Sequence, residues 1–286
     1  MVNKIIDGKK ISGEIFKGIK VTIEDRINKG FRRPSLSVIY VGNDKGSLAY
    51  IKMIKKKSEN VGLECNIHKF DKDITEDQLL EEINSINNNP LIDGILLQLP
   101  LPKKFNTNLI VSHISPNKDV DGVHFSNAGK LYLGEENVIP CTPKGIIRLL
   151  EEYAVNIEGK KVVVLGRSNI LGKPISLLML NRNATVEVCH SRTKNLKEST
   201  INADIVISCV GKPELIKEDM IKEGCIVIDA GISNINGKIV GDVKFEEVLK
   251  KSSLITPVPG GVGPMTIAML LENVMEGYLK YGIKTT

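Results

Sequence analysis

The chain has no tryptophan and only 4% aromatic residues, so it lacks the stacking platforms on which single-stranded nucleic acid is bound. Its densest basic run, Lys52 followed by Lys55, Lys56 and Lys57, has no interleaved aromatic and reads as a solvated helix face. Nucleic acid is therefore not an expected partner. No stretch approaches the roughly 18 apolar residues of a membrane span, and the opening Met1-Val-Asn-Lys-Ile-Ile-Asp7 has no apolar signal core. The reading is a cytoplasmic chain with no membrane partner. Cysteine is scarce: Cys65, Cys141, Cys189, Cys209 and Cys225 are odd in number, scattered and without C-x-x-C spacing. That excludes a disulfide framework and a zinc site, leaves small buried apolar residues, and gives no reason to expect a metal.

What is present is a chain of 286 residues, 42% hydrophobic and 26% charged, with a mild net charge of +5. This balance is that of a globular protein long enough for two medium cores, and the charge suits anionic small substrates. Strand and helix patterns alternate throughout, which predicts an α/β fold with parallel sheets. Helices are expected at about 8–28, 47–61, 75–86 and 264–278, and strands at 35–41, 65–70, 93–99, 162–165, 184–189, 205–209 and 225–229. Thr75, with a nearby glutamate, should cap the third helix, and Thr142 in Pro140-Cys-Thr-Pro143 should cap another, with proline in its first turn. The segment Thr256-Pro-Val-Pro-Gly-Gly-Val-Gly-Pro264 concentrates residues that break regular elements and reads as a domain crossing and a shaped binding wall.

The chemistry is densest after residue 161. Val162-Val-Val-Leu-Gly166-Arg167-Ser168-Asn-Ile-Leu-Gly172 is a buried-strand pattern, a glycine turn and a helix start, the order by which α/β proteins hold a dinucleotide. Its spacing is G-x-x-x-x-x-G rather than G-x-G-x-x-G, so the loop alone is a weak signal. The next strand ends in His190-Ser191-Arg192-Thr193, where a cofactor without a 2′-phosphate would usually meet an acidic residue. A hydroxyl and a guanidinium suit a phosphate dianion, and Arg167 adds a second charge, so NADP is the expected cofactor. Gly211 and Gly231 follow two further strands, where backbone comes close to a cofactor.

Several segments, in order, resemble the methylenetetrahydrofolate dehydrogenase/methenyltetrahydrofolate cyclohydrolase family of one-carbon metabolism. They are Val41-Gly42 through Ser47-x-x-Tyr50, Asp93-Gly-Ile-Leu-Leu-Gln98-Leu-Pro-Leu-Pro102, Lys118-Asp-Val-Asp121-Gly-x-His124, Pro140-Cys-Thr-Pro143, the Gly166 loop, and Pro257 through Thr266. The resemblance implies two α/β domains, the second Rossmann-like, with a substrate cleft between them and a homodimer joined through the cofactor domain. On this sequence it implies a folate-binding catalytic domain at 1–141 plus 264–286 and an NADP-binding domain at 142–263. It implies that Tyr50, Gln98 and Asp121 are the catalytic positions and that tetrahydrofolate derivatives are bound by them with Pro259, Gly260 and Gly261. The cofactor positions are Gly166, Arg167, Ser168, Gly172, Ser191, Arg192 and Ile232. Physically, Tyr50 offers a face for a flat ring and Asp121 a bidentate acceptor for an amino-pyrimidine edge.

One position departs from the pattern. Family members place a lysine four residues after the tyrosine, and this chain has Ile54 there. At about 100° per residue, position 54 lies about 40° from the Tyr50 direction, Lys55 about 140° and Lys52 about 200°. Lys57 returns to within about 20° but lies two turns away, roughly 10 Å. Hydride removal from the methylene group needs positioning and no proton transfer, whereas hydrolysis of the methenyl cation needs a general acid or base, the family lysine's role. The expectation is an NADP-dependent dehydrogenase with weak or absent cyclohydrolase activity. Three alternatives stay open: full bifunctionality with Lys57 or a water compensating, a different two-domain oxidoreductase, and a folate or nucleotide sensor without turnover.

Overall fold

The computed structural model describes residues 4–284, so Met1 to Asn3 of the opening segment lie outside the described residues. The chain divides into two compact units. One, labelled the folate-side unit after the expectation above, comprises Glu14–Lys130, Glu136–Cys141 and the chain from Ile267 onward; the other, labelled the cofactor unit on the same ground, comprises the chain up to Gly13, Leu131–Glu135 and Thr142–Thr266.

In chain order the first half carries α1 (Gly8–Asn28), β1 (Ser35–Val41), α2 (Lys45–Val61), β2 (Glu64–Phe70), α3 (Glu76–Asn88), β3 (Gly94–Leu97), α4 (Thr107–His113) and α5 (Phe125–Tyr132). β1 pairs in parallel with β2 on one side and β3 on the other, giving the order β2-β1-β3. The central strand Ser-Leu-Ser-Val-Ile-Tyr-Val is buried along its whole length, as the middle strand of a parallel sheet covered on both faces must be. Ile39 and Val41 of β1 and Ile95 and Leu97 of β3 pack with Leu79, Ile83 and Ile86 of α3 and Ile110 of α4 in one apolar cluster. α2 is capped by Asp44, whose carboxylate accepts from the Ser47 N–H at 2.7 Å, and stops at Gly62 with φ of 87°. Thr75 caps α3 as expected, but the reciprocal bond comes from Gln78 rather than a glutamate, and Glu76 instead accepts from the Asn106 N–H.

The second half carries α6 (Cys141–Glu152), β4 (Lys161–Leu165), α7 (Gly172–Asn181), β5 (Thr185–Cys189), α8 (Leu196–Thr200), β6 (Ile205–Ser208), β7 (Ile226–Asp229), β8 (Ser233–Ile235), β9 (Lys238–Val240), α9 (Phe245–Lys251), β10 (Leu254–Ile255) and α10 (Val262–Tyr281). Five of these strands form an all-parallel sheet in the order β10-β7-β6-β4-β5, the Rossmann-like arrangement expected from the sequence. The short antiparallel pair β8-β9 turns through Asn236 and Gly237, both at positive φ, which is the primed hairpin turn that Asn-Gly favours. α6 starts at Cys141, so Thr142 lies inside the helix; its hydroxyl shares a 3.1 Å hydrogen bond with Thr266 instead of capping. α10 begins at Val262, earlier than the proline at 264 suggested, because proline is tolerated in a first turn.

Candidate active site

In the folate-side unit, Tyr50 is half-buried on α2, and burial pushes its phenol above the ordinary range, with Cys141 and Asp121 adding to the shift. Its hydroxyl therefore stays protonated at neutral pH and acts as a hydrogen-bond donor, not a base. Asp121 follows the Lys118–Val120 segment that bridges to β3 through Ile95 and Asp119. Burial first, and the neighbouring Asp119 second, push the Asp121 carboxyl up to about 7, against a hydrogen bond from the Cys141 thiol. Asp119 is fully engaged locally, accepting from the His124 N–H at 2.9 Å and from the Asn127 amide at 2.9 Å. Gln98 follows β3, its amide donating to the Leu99 carbonyl at 2.8 Å.

Two residues outside the expected set complete this cluster. Asn273 of α10 is buried and donates to the carbonyls of Val120 at 2.9 Å and Ile139 at 3.1 Å. The Cys141 thiol also donates to Val120, at 3.3 Å. Together they fasten the backbone on which Asp121 sits. Asn273 had one signal in the sequence, an amide beside Glu272 in the otherwise apolar stretch from Ile267 to Met275. Cys141 had none beyond its place in Pro140-Cys-Thr-Pro143.

Ile54 is fully buried, at 0% exposure, on the face of α2 that also buries Ile51, Ser58 and Val61. Lys52, Lys55, Lys56 and Lys57 are all exposed. Lys55 lies 3.9 Å from Glu59, and the Lys57 ammonium lies over the Phe16 ring, 4.9 Å from its centroid.

In the cofactor unit, Gly166 follows β4 with φ of 121°, and a Cβ there would sit 2.6 Å from the Cys209 sulfur and 2.9 Å from its carbonyl oxygen. A Cβ on Gly172 would sit 2.4 Å from the Gly166 carbonyl oxygen, so the two ends of the loop close on each other only as glycines. Ser168 tightens the same loop, its hydroxyl accepting from the Gly172 N–H at 3.3 Å and its carbonyl from the Lys173 N–H at 3.0 Å. β5 runs beside β4 with Cys189 opposite Leu165, and the Gly166 N–H donates to the Cys189 carbonyl at 2.8 Å. The turn after β5 is built by the His190 N–H on the Thr193 hydroxyl and the Arg192 N–H on the His190 ring. Arg167, Ser191 and Arg192 thus stand exposed at one sheet edge, and neither guanidinium has an ion pair among the described residues. Ile232 is exposed just after β7, and Pro259, Gly260 and Gly261 lead into α10, where the Lys9 N–H donates to the Gly260 carbonyl at 2.9 Å.

A two-domain α/β protein, with a glycine-closed loop between strand and helix and unpaired arginines at the same edge, belongs to the class of dinucleotide-dependent enzymes. Family models then divide the chain: the tetrahydrofolate dehydrogenase/cyclohydrolase catalytic domain matches residues 6–121, and the NAD(P)-binding domain of the same family matches residues 140–281. The chain belongs to the tetrahydrofolate dehydrogenase/cyclohydrolase family. It is 52% identical to the bifunctional protein FolD of Aquifex aeolicus, over 96% of this chain and 94% of that one. Among solved structures, the bifunctional FolD of Campylobacter jejuni superposes with a TM-score of 0.95 at 46% identity, covering 96% and 98% of the two chains. The Trypanosoma brucei FolD, solved with NADP cofactor and inhibitor, has a TM-score of 0.90 at 36% identity, covering 96% and 97%. Among the described residues no helix is long and apolar enough to cross a membrane.

Proposed function

We propose that this protein is an NADP-dependent 5,10-methylenetetrahydrofolate dehydrogenase whose capacity to hydrolyse the methenyl product is weak or absent. The observation that carries the second half is the fully buried alkyl side chain of Ile54, one turn beyond Tyr50, with every lysine of α2 on the exposed side.

NADP fits the residues present. The Gly166–Gly172 loop excludes side chains where backbone must approach a pyrophosphate, and Ser191, Arg192 and Arg167 offer a hydroxyl and two unpaired guanidiniums to a 2′-phosphate. The trypanosomal relative, which holds NADP, supports the same choice. When bound, the cofactor accepts the hydride lost from the substrate's methylene carbon. Tyr50 supplies an aromatic face and a protonated hydroxyl, Asp121 accepts from the amino-pyrimidine edge of the pterin, and Gln98 offers an amide at the end of β3. The resemblance adds Pro259, Gly260 and Gly261 as pterin-binding positions. Oxidation by hydride loss asks these groups for orientation alone.

Hydrolysis asks for more. Water must lose a proton as it attacks, and a ring nitrogen must gain one. Isoleucine does neither, the Tyr50 phenol is held protonated, and Asp121, which titrates near neutrality, is committed to the pterin edge. Lys57 is turned to Phe16. The missing general acid or base corresponds to a loss of about two to four orders of magnitude. The test follows both steps on one preparation: NADPH formed from methylenetetrahydrofolate, and the lifetime of the methenyl absorbance afterwards. Dehydrogenation with a persistent methenyl signal is expected. Methenyl decay well above the buffer rate sinks the second half, and absence of NADPH formation sinks the first.

The homodimer is part of the same reading. Leu180 on α7 and Val188 on the edge strand β5, 57% and 40% exposed, are apolar side chains on neighbouring elements of the cofactor unit and support a dimer through that unit. Light scattering should give twice the mass of the chain. Five cysteines without a disulfide support a reducing, cytoplasmic setting.

A further inference from the structure

The cofactor unit buries two carboxylates that no step above uses. Asp242 is fully buried and collects four donors: the Ser208 hydroxyl at 2.8 Å, the Val210 N–H at 2.9 Å and the Gly211 N–H at 3.3 Å on one oxygen, and the Lys212 N–H at 2.8 Å on the other. Three successive backbone N–H groups turned on one anion form a nest, a concavity that elsewhere takes a phosphate. Here the protein fills it with its own side chain. Asp229, at the end of β7, anchors Asp242 in turn, accepting from the N–H groups of Asp242 at 3.0 Å, Val243 at 2.9 Å and Gly231 at 2.9 Å. The packing admits no side chain at the contacts. A Cβ on Gly231 would lie 2.1 Å from the Asp242 carboxylate, and one on Gly241 would lie 2.0 Å from that of Asp229.

The nest belongs to the loop after β6, which meets the Gly166 loop directly. The Cys209 N–H and thiol both bond the Leu165 carbonyl at 2.9 Å, and the Cys209 sulfur occupies the space a Gly166 Cβ would need. This is the carboxyl edge of the parallel sheet, where dinucleotides lie in such folds. Burying a carboxylate is costly unless its acceptors are filled, and all four donors to Asp242 come from Ser208 and this one loop.

We propose that Asp242 is the positioning residue of the cofactor site: by filling the Val210-Gly211-Lys212 nest it presets the loop after β6 for the dinucleotide, and Asp229 fixes Asp242. This rests on the NADP reading above. Preorganisation of this kind lowers the ordering cost of binding and leaves the chemistry alone, so it appears in cofactor affinity and not in turnover.

The test is NADPH titration by fluorescence beside initial-rate kinetics, on wild type and Asp242→Asn. Whichever way the new amide turns, its NH2 faces an N–H, so the nest opens. The dissociation constant for NADPH and the KM for NADP are expected to rise together by tenfold or more. kcat at saturating NADP and the KM for methylenetetrahydrofolate should stay within about threefold. Far-UV circular dichroism checks folding. If Asp242→Asn does not fold, Ser208→Ala is decisive: it removes the one side-chain donor to Asp242 and adds no atom to the loop, so only the hold on the nest changes. Its affinity for NADPH should fall several-fold with kcat retained. Unchanged NADPH affinity in the folded variants, or a fall in kcat without one in affinity, overturns the inference. Wild type that binds no NADPH overturns the cofactor reading on which it stands.

Discussion

Two carboxyl groups, one in each unit, Asp229 buried and Asp121 half-buried, show how differently the same residue type is treated. Asp229 receives three backbone N–H donors, and these hold it to about 6 against the burial that pushes it up. Asp121 has only the neighbouring Cys141 thiol to set against burial and the Asp119 charge, and is driven to about 7. A carboxyl with its acceptors filled from within has a structural task; one left short among buried neighbours is poised for a ligand's donors. The contrast extends to the units themselves. The cofactor unit presents the glycine loop and unpaired arginines that the NADP reading proposes to use, whereas the folate-side unit has the alkyl chain of Ile54 where the resemblance implies an amine.

The largest effect expected from breaking this contrast is at Ile54. Ile54→Lys places an ammonium in a fully buried slot, where desolvation lowers its pKa toward that of a usable base. Methenyl decay should accelerate by about two to four orders of magnitude, with a loss of thermal stability. No acceleration in a folded variant would show that the missing amine is not what limits hydrolysis.

Next in size is the cofactor side. Arg192→Ala removes an unpaired guanidinium from the turn proposed to meet the 2′-phosphate, and KM for NADP should rise about 10- to 100-fold while that for NAD barely moves. Equal changes for both cofactors would place Arg192 outside 2′-phosphate recognition.

Asp121→Asn tests the poised carboxyl directly. A folded-state pKa raised to about 7 stabilises the protonated form, so the free protein should lose stability as pH rises from about 4 through 7. The asparagine variant should flatten that slope and melt a few degrees higher than wild type at pH 8, roughly 2–4 °C for each kcal/mol in a chain of this size. It should also bind folate more weakly with NADPH affinity unchanged. A wild-type melting temperature that climbs over the same pH range would contradict the assignment.

The smallest effect is expected at Lys57. Lys57→Ala removes an exposed contact with Phe16, about 1 kcal/mol at most, and should leave both reactions as they are. A fall in residual hydrolysis would identify it as the stand-in for the lysine.

Much of the plan was legible before any coordinates. α1 and β1 fall where periodicity placed them, and the parallel strands other than the two-residue β10, which was not anticipated, agree within a residue or two because an apolar run between glycine and polar turns has few other uses. Thr142 was misread: Pro140 and Pro143 marked a helix start correctly, but the cap depends on which residue stays extended, and Thr142 found a partner in Thr266. The β8-β9 hairpin went unanticipated despite its Asn-Gly turn, since its strands are only three residues each.

The sequence by itself determined the fold class, the glycine loop and the absence of a lysine at position 54, because these are written in spacing and residue type along one strand, turn or helix. Only the tertiary structure decided that Lys57 turns to Phe16, that Cys141 and Asn273 brace the Asp121 loop, and that Asp229 and Asp242 lock together beneath the loops following β6 and β7. Those outcomes hang on hydrogen bonds and burial between residues far apart in the chain, and local pattern has no term for them.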